Sequence, residues 1–343
     1  MRIGIAFDLA PVDRADDGPD DRFEEFDKPR TIEAIASVLR AEGHEVVLLG
    51  DGPDLLRRVL DDPPDFVWNM AEGQGVGRAR EARVPAALEM LGIPYSGSDP
   101  LTLAVALDKD TAKRLVRSAG IAVPEGCLVL PGAEPDAAVA RLGDAVGYPL
   151  IVKPALEGSS KGIRSHSLVD DEARAVAVAR RLADDYAQPV LVEQFIEGDE
   201  VTVGLIGNAP TVECLGVMRV GPKEKGGRFV YSLEIKRDWA HGVEYEAPAR
   251  LAVEVHERLC TAALQAFEAL GCRDLARIDF RIRDGAPHFL EANPLPGLAP
   301  AWSDLVILAR GYGIDHPDLI RTILRTALAR VGLAGPRRGG VRR

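Results

Sequence analysis

Three stretches of this chain set close together the residue types that chemistry needs. In Ala276-Arg-Ile-Asp-Phe-Arg-Ile-Arg283, apolar Ile278, Phe280 and Ile282 alternate with Arg277, Asp279, Arg281 and Arg283. That is the period-two pattern of a strand with one buried face. Asp284-Gly285 marks a hairpin turn, and His288-Phe-Leu-Glu-Ala-Asn293 is the return strand. A turn centred on Gly285 sets Asp279 opposite Glu291 and Arg277 opposite Asn293, with facing Cβ atoms about 5 Å apart. Two carboxylates and an amide oxygen beside a guanidinium make a hard-oxygen site suited to Mg²⁺ and its phosphate ligands. The inference is conditional, because a register slip of one residue turns Asp279 away from the pair. A solvated polar hairpin face has the same pattern.

The second stretch is Ile151-Val-Lys153-Pro-Ala-Leu-Glu157-Gly-Ser159-Ser160-Lys-Gly162. A lysine leaving a buried strand, followed by glycines and serines, offers N–H and hydroxyl donors for an anion. It is not a Walker A loop, and an ordinary connection reads the same way. The third is Val190-Leu-Val-Glu193-Gln-Phe195-Ile196-Glu-Gly-Asp-Glu200, an apolar strand ending among acids. Such carboxylates can accept hydrogen bonds from an adenine amino group or from ribose hydroxyls, or simply face water. There is no His-Glu-x-x-His, and the six histidines show no metal-ligand spacing.

The elements that must hold these residues follow from periodicity. Residues 2–6, 45–50 and 65–70 read as strands, with Ile32, Ile35, Ala36, Val38 and Leu39 at helical spacing between the first two and a helix around Pro85–Leu91 after the third. Strand and helix in alternation imply a parallel sheet covered on both faces. Its ligand-side loops would be 7–30 and 70–83. The first carries Asp13, Asp16, Asp17, Asp20, Asp21, Glu24, Glu25 and Asp27, and is either a solvated acidic loop or a lid over substrate. From 108 the pattern becomes helices at 108–119, 134–146, 170–184 and 249–270, strands at 148–153, 189–196, 200–206 and 212–220, and a polar loop at 221–247. After the hairpin come helices near 303–310 and 316–330, then a glycine–arginine tail, Gly335–Arg343, expected to be disordered.

Composition narrows the class. The chain has 343 residues, 46% hydrophobic and 28% charged, with a net charge of −11. That is ample apolar material for two or three cores, and the negative balance disfavours a nucleic-acid partner. No apolar run approaches the length of a membrane span. The opening Met-Arg-Ile-Gly-Ile-Ala-Phe-Asp8 reads as a first strand rather than a signal peptide. The four scattered cysteines read as thiols of a reducing, cytoplasmic compartment.

Taken in order, these segments resemble the ATP-grasp superfamily, and within it the D-alanine–D-alanine ligase branch. The matching pieces are Leu88-Glu-Met-Leu-Gly-Ile-Pro-Tyr-Ser-Gly-Ser98, Leu107-Asp-Lys109, Val152-Lys153-Pro, Glu157-Gly-Ser-Ser160, Glu193-x-Phe-Ile-x-Gly-x-Glu200, Arg277-x-Asp279 and Glu291-x-Asn293-Pro-x-Pro-Gly297. The resemblance implies a three-lobed α/β and α+β architecture: a doubly wound lobe over 1–107, a central lobe over 108–197 and a carboxy-terminal lobe over 198–333, with the tail from 334. It implies ATP between the last two lobes, contacted by Lys109, Lys153, Glu157, Ser159, Ser160, Glu193, Phe195, Ile196, Glu200 and Lys236. Asp279, Glu291 and Asn293 would bind two Mg²⁺ or Mn²⁺ ions, while Arg277, Ser159 and Lys236 serve the chemistry. The reaction implied is ATP-dependent joining of a carboxylate to an amine through an acyl phosphate, releasing ADP and phosphate. Substrates would be amino acids or peptides, and the chain a homodimer. A true D-alanine–D-alanine ligase and a non-catalytic ATP-binding sensor or scaffold are the alternatives.

The substrate half departs from the family. Asn69-Met-Ala-Glu-Gly-Gln-Gly-Val-Gly-Arg78 lacks the family's histidine, Arg237 stands where a tyrosine follows the loop lysine, and the family's Ser-Leu pair falls near Trp302-Ser303-Asp304-Leu305 with a displacement. Asp8, Glu72, Arg78, Arg80, Arg237, Gly297 and Ser303 are therefore the candidate substrate residues. Arg78, Arg80 and Arg83 can grip a carboxylate or phosphate, which points to polar or charged substrates rather than D-alanine alone. The same arginines can instead pair with Glu72, Glu81 and Glu89 on the surface.

Overall fold

The structure, a computed structural model, describes residues 1–10, 18–223 and 226–334. Asp13, Asp16, Asp17 and the tail Gly335–Arg343 lie outside the described residues. Strands β1 (Arg2–Ala6), β2 (Glu45–Gly50) and β3 (Phe66–Asn69) form a parallel sheet in the order β2–β1–β3. Successive strand residues face opposite sides, so Ile3 and Ile5 enter one core and Ala6 another. The first core takes Ile32, Ile35 and Leu39 from the helix Pro29–Ala41. It also takes Leu319, Ile320, Ile323 and Leu324 from the helix His316–Arg330. The second takes Leu55 and Val59 from Gly52–Asp61 and Val84 and Leu88 from Arg83–Met90. The last helix of the chain thus completes the first lobe. Nothing local in its sequence says so.

Strands β4 (Gly126–Val129), β5 (Leu150–Pro154), β6 (Leu168–Val169) and β7 (Val190–Gln194) form an antiparallel sheet, β4–β7–β5–β6. Helices Asp136–Val146 and Glu172–Tyr186 cover the face bearing Leu150, Val152, Val190 and Val192. The opposite face carries Ile151 and Lys153 from β5, paired with Glu193 and Leu191 of β7.

Strands β8 (Asp199–Gly207), β9 (Glu213–Pro222), β10 (Val243–Glu246), β11 (Asp274–Arg283) and β12 (Ala286–Asn293) form the third sheet, β10–β9–β8–β11–β12, antiparallel throughout. Leu259, Ala263 and Phe267 of the helix Val253–Leu270 pack on Val201, Val203, Ile278, Phe280 and Phe289. Ala112 and Val116 join the same core. Their helix, Lys109–Ser118, was read with the central lobe but packs on this sheet. The segment 221–247, read as one polar loop, holds two short helices, Leu233–Arg237 and Trp239–Gly242, and β10. Tyr231, Ile235 and Tyr245 lend them a small core with Met218 and Val220.

The β11–β12 register meets the condition set by the sequence in an indirect way. Asp284 and Gly285 have φ of 53° and 73°, the two left-handed residues of a tight hairpin turn, and Arg283 pairs with Ala286. Continued evenly, that turn would place Leu290 opposite Asp279. A bulge between Phe280 and Asp279 absorbs one residue of β12, so that Asp279 faces Glu291 and Arg277 faces Asn293. Bulges re-aim side chains in this way at functional sites.

Asp274, fully buried, ties the lobes together. Its carboxylate accepts hydrogen bonds from the Gly97 N–H and the Asn208 amide at 2.8 and 2.9 Å, and from Arg330 at 2.8 Å. Arg330 also donates to the Tyr95 carbonyl at 2.7 Å. Asp274→Ala leaves a guanidinium and two buried donors without their acceptor, and should cost about 3–5 kcal/mol in a urea titration. A loss under 1 kcal/mol would show that this joint carries no stability.

Candidate active site

The polar faces of the second and third sheets look onto one cleft of about 880 Å³. Strand alternation does the placing: the residues that skip the cores, Lys153 and Glu193 on one side and Thr202, Arg277, Asp279 and Glu291 on the other, line the gap. Lys109, Glu157, Ser159, Ser160, Phe195, Ile196, Glu200 and Lys236 line it too, so every residue expected at the nucleotide meets in one place. Apolar Ile151, Ile163, Phe195, Val220, Val230 and Leu290 supply flat walls. Asn293 opens onto an adjoining pocket shared with Glu72, Glu81, Lys109 and Gly297.

The charges are paired across elements. Glu193 ion-pairs with Lys153 at 2.6 Å and with Lys113. Burial works to raise the Glu193 carboxyl, but the two lysines outweigh it and hold it below its ordinary value. Burial draws Lys113 down to about 8, whereas Glu193 and Glu291 more than offset burial at Lys153 and keep it raised. Lys109 meets Glu291 at 3.1 Å and the Glu157 carbonyl. Arg277 donates to Asp279 and Asp304, each at 2.8 Å. Arg281 lies 4.4 Å from the Phe195 ring centroid and bonds Glu200 at 2.7 Å and the Ile196 carbonyl at 3.1 Å. It fixes the clasp segment from below. Half-buried Lys236 is pulled below its usual range by burial, which Asp304 only partly offsets.

Asp279, Glu291 and Asn293 suit a hard divalent ion. Burial lifts Asp279 to about 6 against the pull of Arg277, whereas Lys109, Lys153 and Arg277 overcome burial at Glu291 and hold it well below the carboxylate range. The Asn293 amide reaches both carboxylates, at 3.3 and 3.5 Å. Among the described residues no group of three or more His, Cys, Asp or Glu side chains is placed to hold a metal ion by itself. The donor set is thus two carboxylates and an amide oxygen, which fits Mg²⁺ or Mn²⁺ bound jointly with phosphate oxygens.

The glycine–serine loop is held in an unusual shape by the acidic loop. Ser159 and Ser160 have φ of 50° and 59°, a region non-glycine residues seldom adopt. Glu25 accepts a hydrogen bond from Gly158 N–H and ion-pairs with Lys161 at 3.2 Å and Arg80 at 2.9 Å. Asp21 accepts from Gly162 N–H at 2.9 Å and the Tyr186 hydroxyl at 2.8 Å. Ser160 donates to the Tyr231 carbonyl at 3.0 Å, so this loop and the 221–247 segment touch. In the described part, Asp21 and Glu25 are packed against the cleft rather than solvated.

The arginines differ from expectation. Arg80 is 1% exposed and spends its guanidinium on Glu25, Glu157 and the Leu156 carbonyl. Arg78 pairs with Asp108 at 2.8 Å, Arg83 donates to the Gln74 carbonyl, and Arg237 is shared between Asp20 and Glu24. Carboxylates hold Arg78, Arg80 and Arg237, a single carbonyl meets Arg83, and none of the four uses the surface pairing with Glu72, Glu81 or Glu89. The acidic loop supplies the partners of Arg80 and Arg237, Glu25 for the first and Asp20 and Glu24 for the second. Asp8 is buried just past β1; its Oδ2 accepts the Gly73 N–H at 2.8 Å, its Oδ1 has no partner, and the carboxyl is raised to about 7 by burial and the nearby Asp51. Ser303 accepts from Ala299 N–H at 2.9 Å, beside Gly297. Lys113, Arg281, Tyr231 and Asp304 were missed from the sequence. Arg281, on the same strand face as Arg277 and Asp279, and Lys113, one helical turn after Lys109, carried a local signal.

A family profile described as D-ala D-ala ligase C-terminus matches residues 115–325. A curated D-alanine–D-alanine ligase of Gloeobacter violaceus is 35% identical over 296 residues, covering 86% of this chain and 92% of its own length. One from Pelotomaculum thermopropionicum is 31% identical over 310 residues, covering 89% and 93%. In three dimensions the chain is similar to the Bacillus anthracis D-alanine–D-alanine ligase complexed with ATP. The TM-score is 0.73 at 24% identity, over 98% of this chain and 100% of that one. It is also similar to the VanG D-Ala:D-Ser ligase of Enterococcus faecalis, with a TM-score of 0.72 at 21% identity over 95% and 99%.

Glu193→Gln should cost about 3–5 kcal/mol, because two buried ammonium groups lose their shared carboxylate. The sign with pH follows from the depressed folded pKa. The wild-type advantage is full above the ordinary glutamate value of 4.5 and shrinks as pH falls through the lower folded value. Paired urea titrations from pH 3 to 7 test this, and a gap that widens on acidification refutes it.

Proposed function

The chain belongs to the D-alanine–D-alanine ligase family, and on that premise we propose that it joins a small carboxylate to an amine through an acyl phosphate. It is an ATP-grasp ligase forming C–N bonds. The reading is carried by one observation: Lys109, Lys153 and Arg277 converge with Asp279 and Glu291 on one cleft whose other end is apolar. A carboxylate is a poor electrophile until phosphorylated, and its approach to a triphosphate needs positive charge nearby. Lys153 and Lys109 would hold phosphate oxygens, and Arg277 the transferring phosphoryl group and then the oxyanion formed by amine attack. Asp279, Glu291 and Asn293 would hold two Mg²⁺ or Mn²⁺ ions, which neutralise phosphate charge when bound. Ser159, Ser160 and Lys236 would close over the reacting group and exclude water, since an acyl phosphate hydrolyses. Phe195, Ile196 and Leu290 would flank the base, with Glu200 at the ribose.

The relatives' names favour a narrower reading, D-alanine in both substrate positions for peptidoglycan synthesis. The substrate pocket weighs against it, because its acids exceed what an alanine pair needs. We place the reaction on small-molecule substrates in the cytoplasm, and among the described residues no helix is long and apolar enough to cross a membrane.

Two outcomes are expected in a steady-state assay with Mg²⁺ and ATP over amino acids singly and in pairs. ADP and phosphate should appear in step with amide, and stoichiometric AMP would refute the acyl phosphate route. Asp279→Asn and Glu291→Gln should each lower kcat/KM by about a hundredfold or more with the circular dichroism spectrum unchanged. Wild-type turnover by either variant at saturating Mg²⁺ would remove these residues from the metal site.

A further inference from the structure

Beside the nucleotide cleft lies a pocket of about 570 Å³ reaching Ser159, Arg277 and Glu291 on one side and Gly297 on the other. Its charges can be counted. Glu25 and Glu157 are matched by Arg80 and Lys161. Glu291 is matched by Lys109, and Arg277 is more than matched by Asp279 and Asp304. Glu72 and Glu81, both lining the pocket, remain. Neither makes a hydrogen bond or ion pair among the described residues. Glu81 is only 8% exposed, so water does little for it. Arg80 pulls on both, but its N–H groups are spent on Glu25, Glu157 and the Leu156 carbonyl.

A buried carboxylate, Glu81, and a half-buried one, Glu72, with no partner are costly unless a ligand supplies the missing charge. An ordinary α-amino acid whose carboxylate is activated brings one ammonium group and can satisfy one of them, since the second substrate's amine must give up its proton to attack. Resting on the ligase reading above, we propose that the amino acid bound here carries a second cation, a side-chain amine or guanidinium held between Glu72 and Glu81. The electrostatics agree: burial lifts Glu81 to about 8 and Glu72 well above its ordinary value, with Glu25 and Asp27 adding repulsion at Glu72. A site built around a charged group rejects the analogue that lacks it far more strongly than an apolar pocket rejects a missing methylene.

Isosteric pairs test this directly: ornithine against norleucine, and 2,4-diaminobutyrate against norvaline. Both enantiomers of each are given alone and with D-alanine, with Mg²⁺ and ATP, and ADP release is read. The cationic member of a pair should have a kcat/KM at least tenfold higher. Glu72→Gln and Glu81→Gln should each shrink that ratio at least fivefold. A role confined to packing would move both members together and leave the ratio intact, and that result overturns the proposal. So does equal or better use of the neutral member, or of D-alanine with itself, by the wild type; either leaves the ligase reading standing. If no amino acid, alone or in a pair, raises ADP release above the amino-acid-free rate of an enzyme that binds ATP, the ligase reading falls and this proposal with it.

Discussion

The carboxylate of Glu193 sits between two ammonium groups, and much of the cleft depends on that arrangement. Lys153 comes from β5, Glu193 from its neighbour β7, and Lys113 from a helix packed in the core of the other sheet. One acid therefore neutralises two cations and pins the central sheet to its opposite number. Without it, burying Lys153 where a phosphate could reach it would be prohibitive, because an unpaired ammonium loses its hydration and gains nothing. The same logic runs through the cleft: Lys109 rests on Glu291, and Arg277 on Asp279 and Asp304. On the reading proposed here, these pairs join a phosphate-side cation to a metal-side anion. A metal–nucleotide complex carries both charges and can enter by exchange, leaving no charge stranded.

The first lobe contributes through its acidic loop. Asp21 and Glu25 reach across to the glycine–serine loop and accept the N–H groups of Gly162 and Gly158. These bonds help hold Ser159 and Ser160 in left-handed conformations that would otherwise relax. The loop's carboxylates are thereby committed to Arg80, Lys161, Arg164 and Arg237. The substrate side keeps its negative character through Glu72 and Glu81 instead. Local strain, loop closure and the sign of the substrate pocket thus share one network of ion pairs.

Much of this was legible in residue order. Alternation in 276–283 fixed which side chains of β11 leave the core, and the same parity put Lys153 and Glu193 on the cleft face of the central sheet. Period and turn chemistry are local properties, so short windows reveal them. Among the cleft residues drawn from the family resemblance, Lys153, Glu193, Asp279 and Glu291 stand on strands whose exposed face the sequence declares, whereas Glu157, Ser159, Ser160 and Lys236 come from segments read as loops. The partners of the charged residues were not legible. Arg80 could as well have met Glu81 as Glu25, which is far away in sequence, and Lys113 looked like one more solvated helix lysine.

What the sequence determined by itself is the set of faces: which side chains of each strand and helix turn away from their own core, and that these include lysines, arginines, two facing carboxylates and an amide. What only the tertiary structure decided is how those faces meet. A two-residue turn at Asp284-Gly285 would have rotated Asp279 out of register, and a bulge in β12 corrects it. Bulges answer to packing on the neighbouring layers rather than to a pattern in the strand. The last helix closes the first lobe, and Lys109–Ser118 packs on the third sheet. Hydrophobic contact is non-directional and indifferent to chain distance, so an apolar stripe states that it must be covered and leaves the choice of cover to the whole fold.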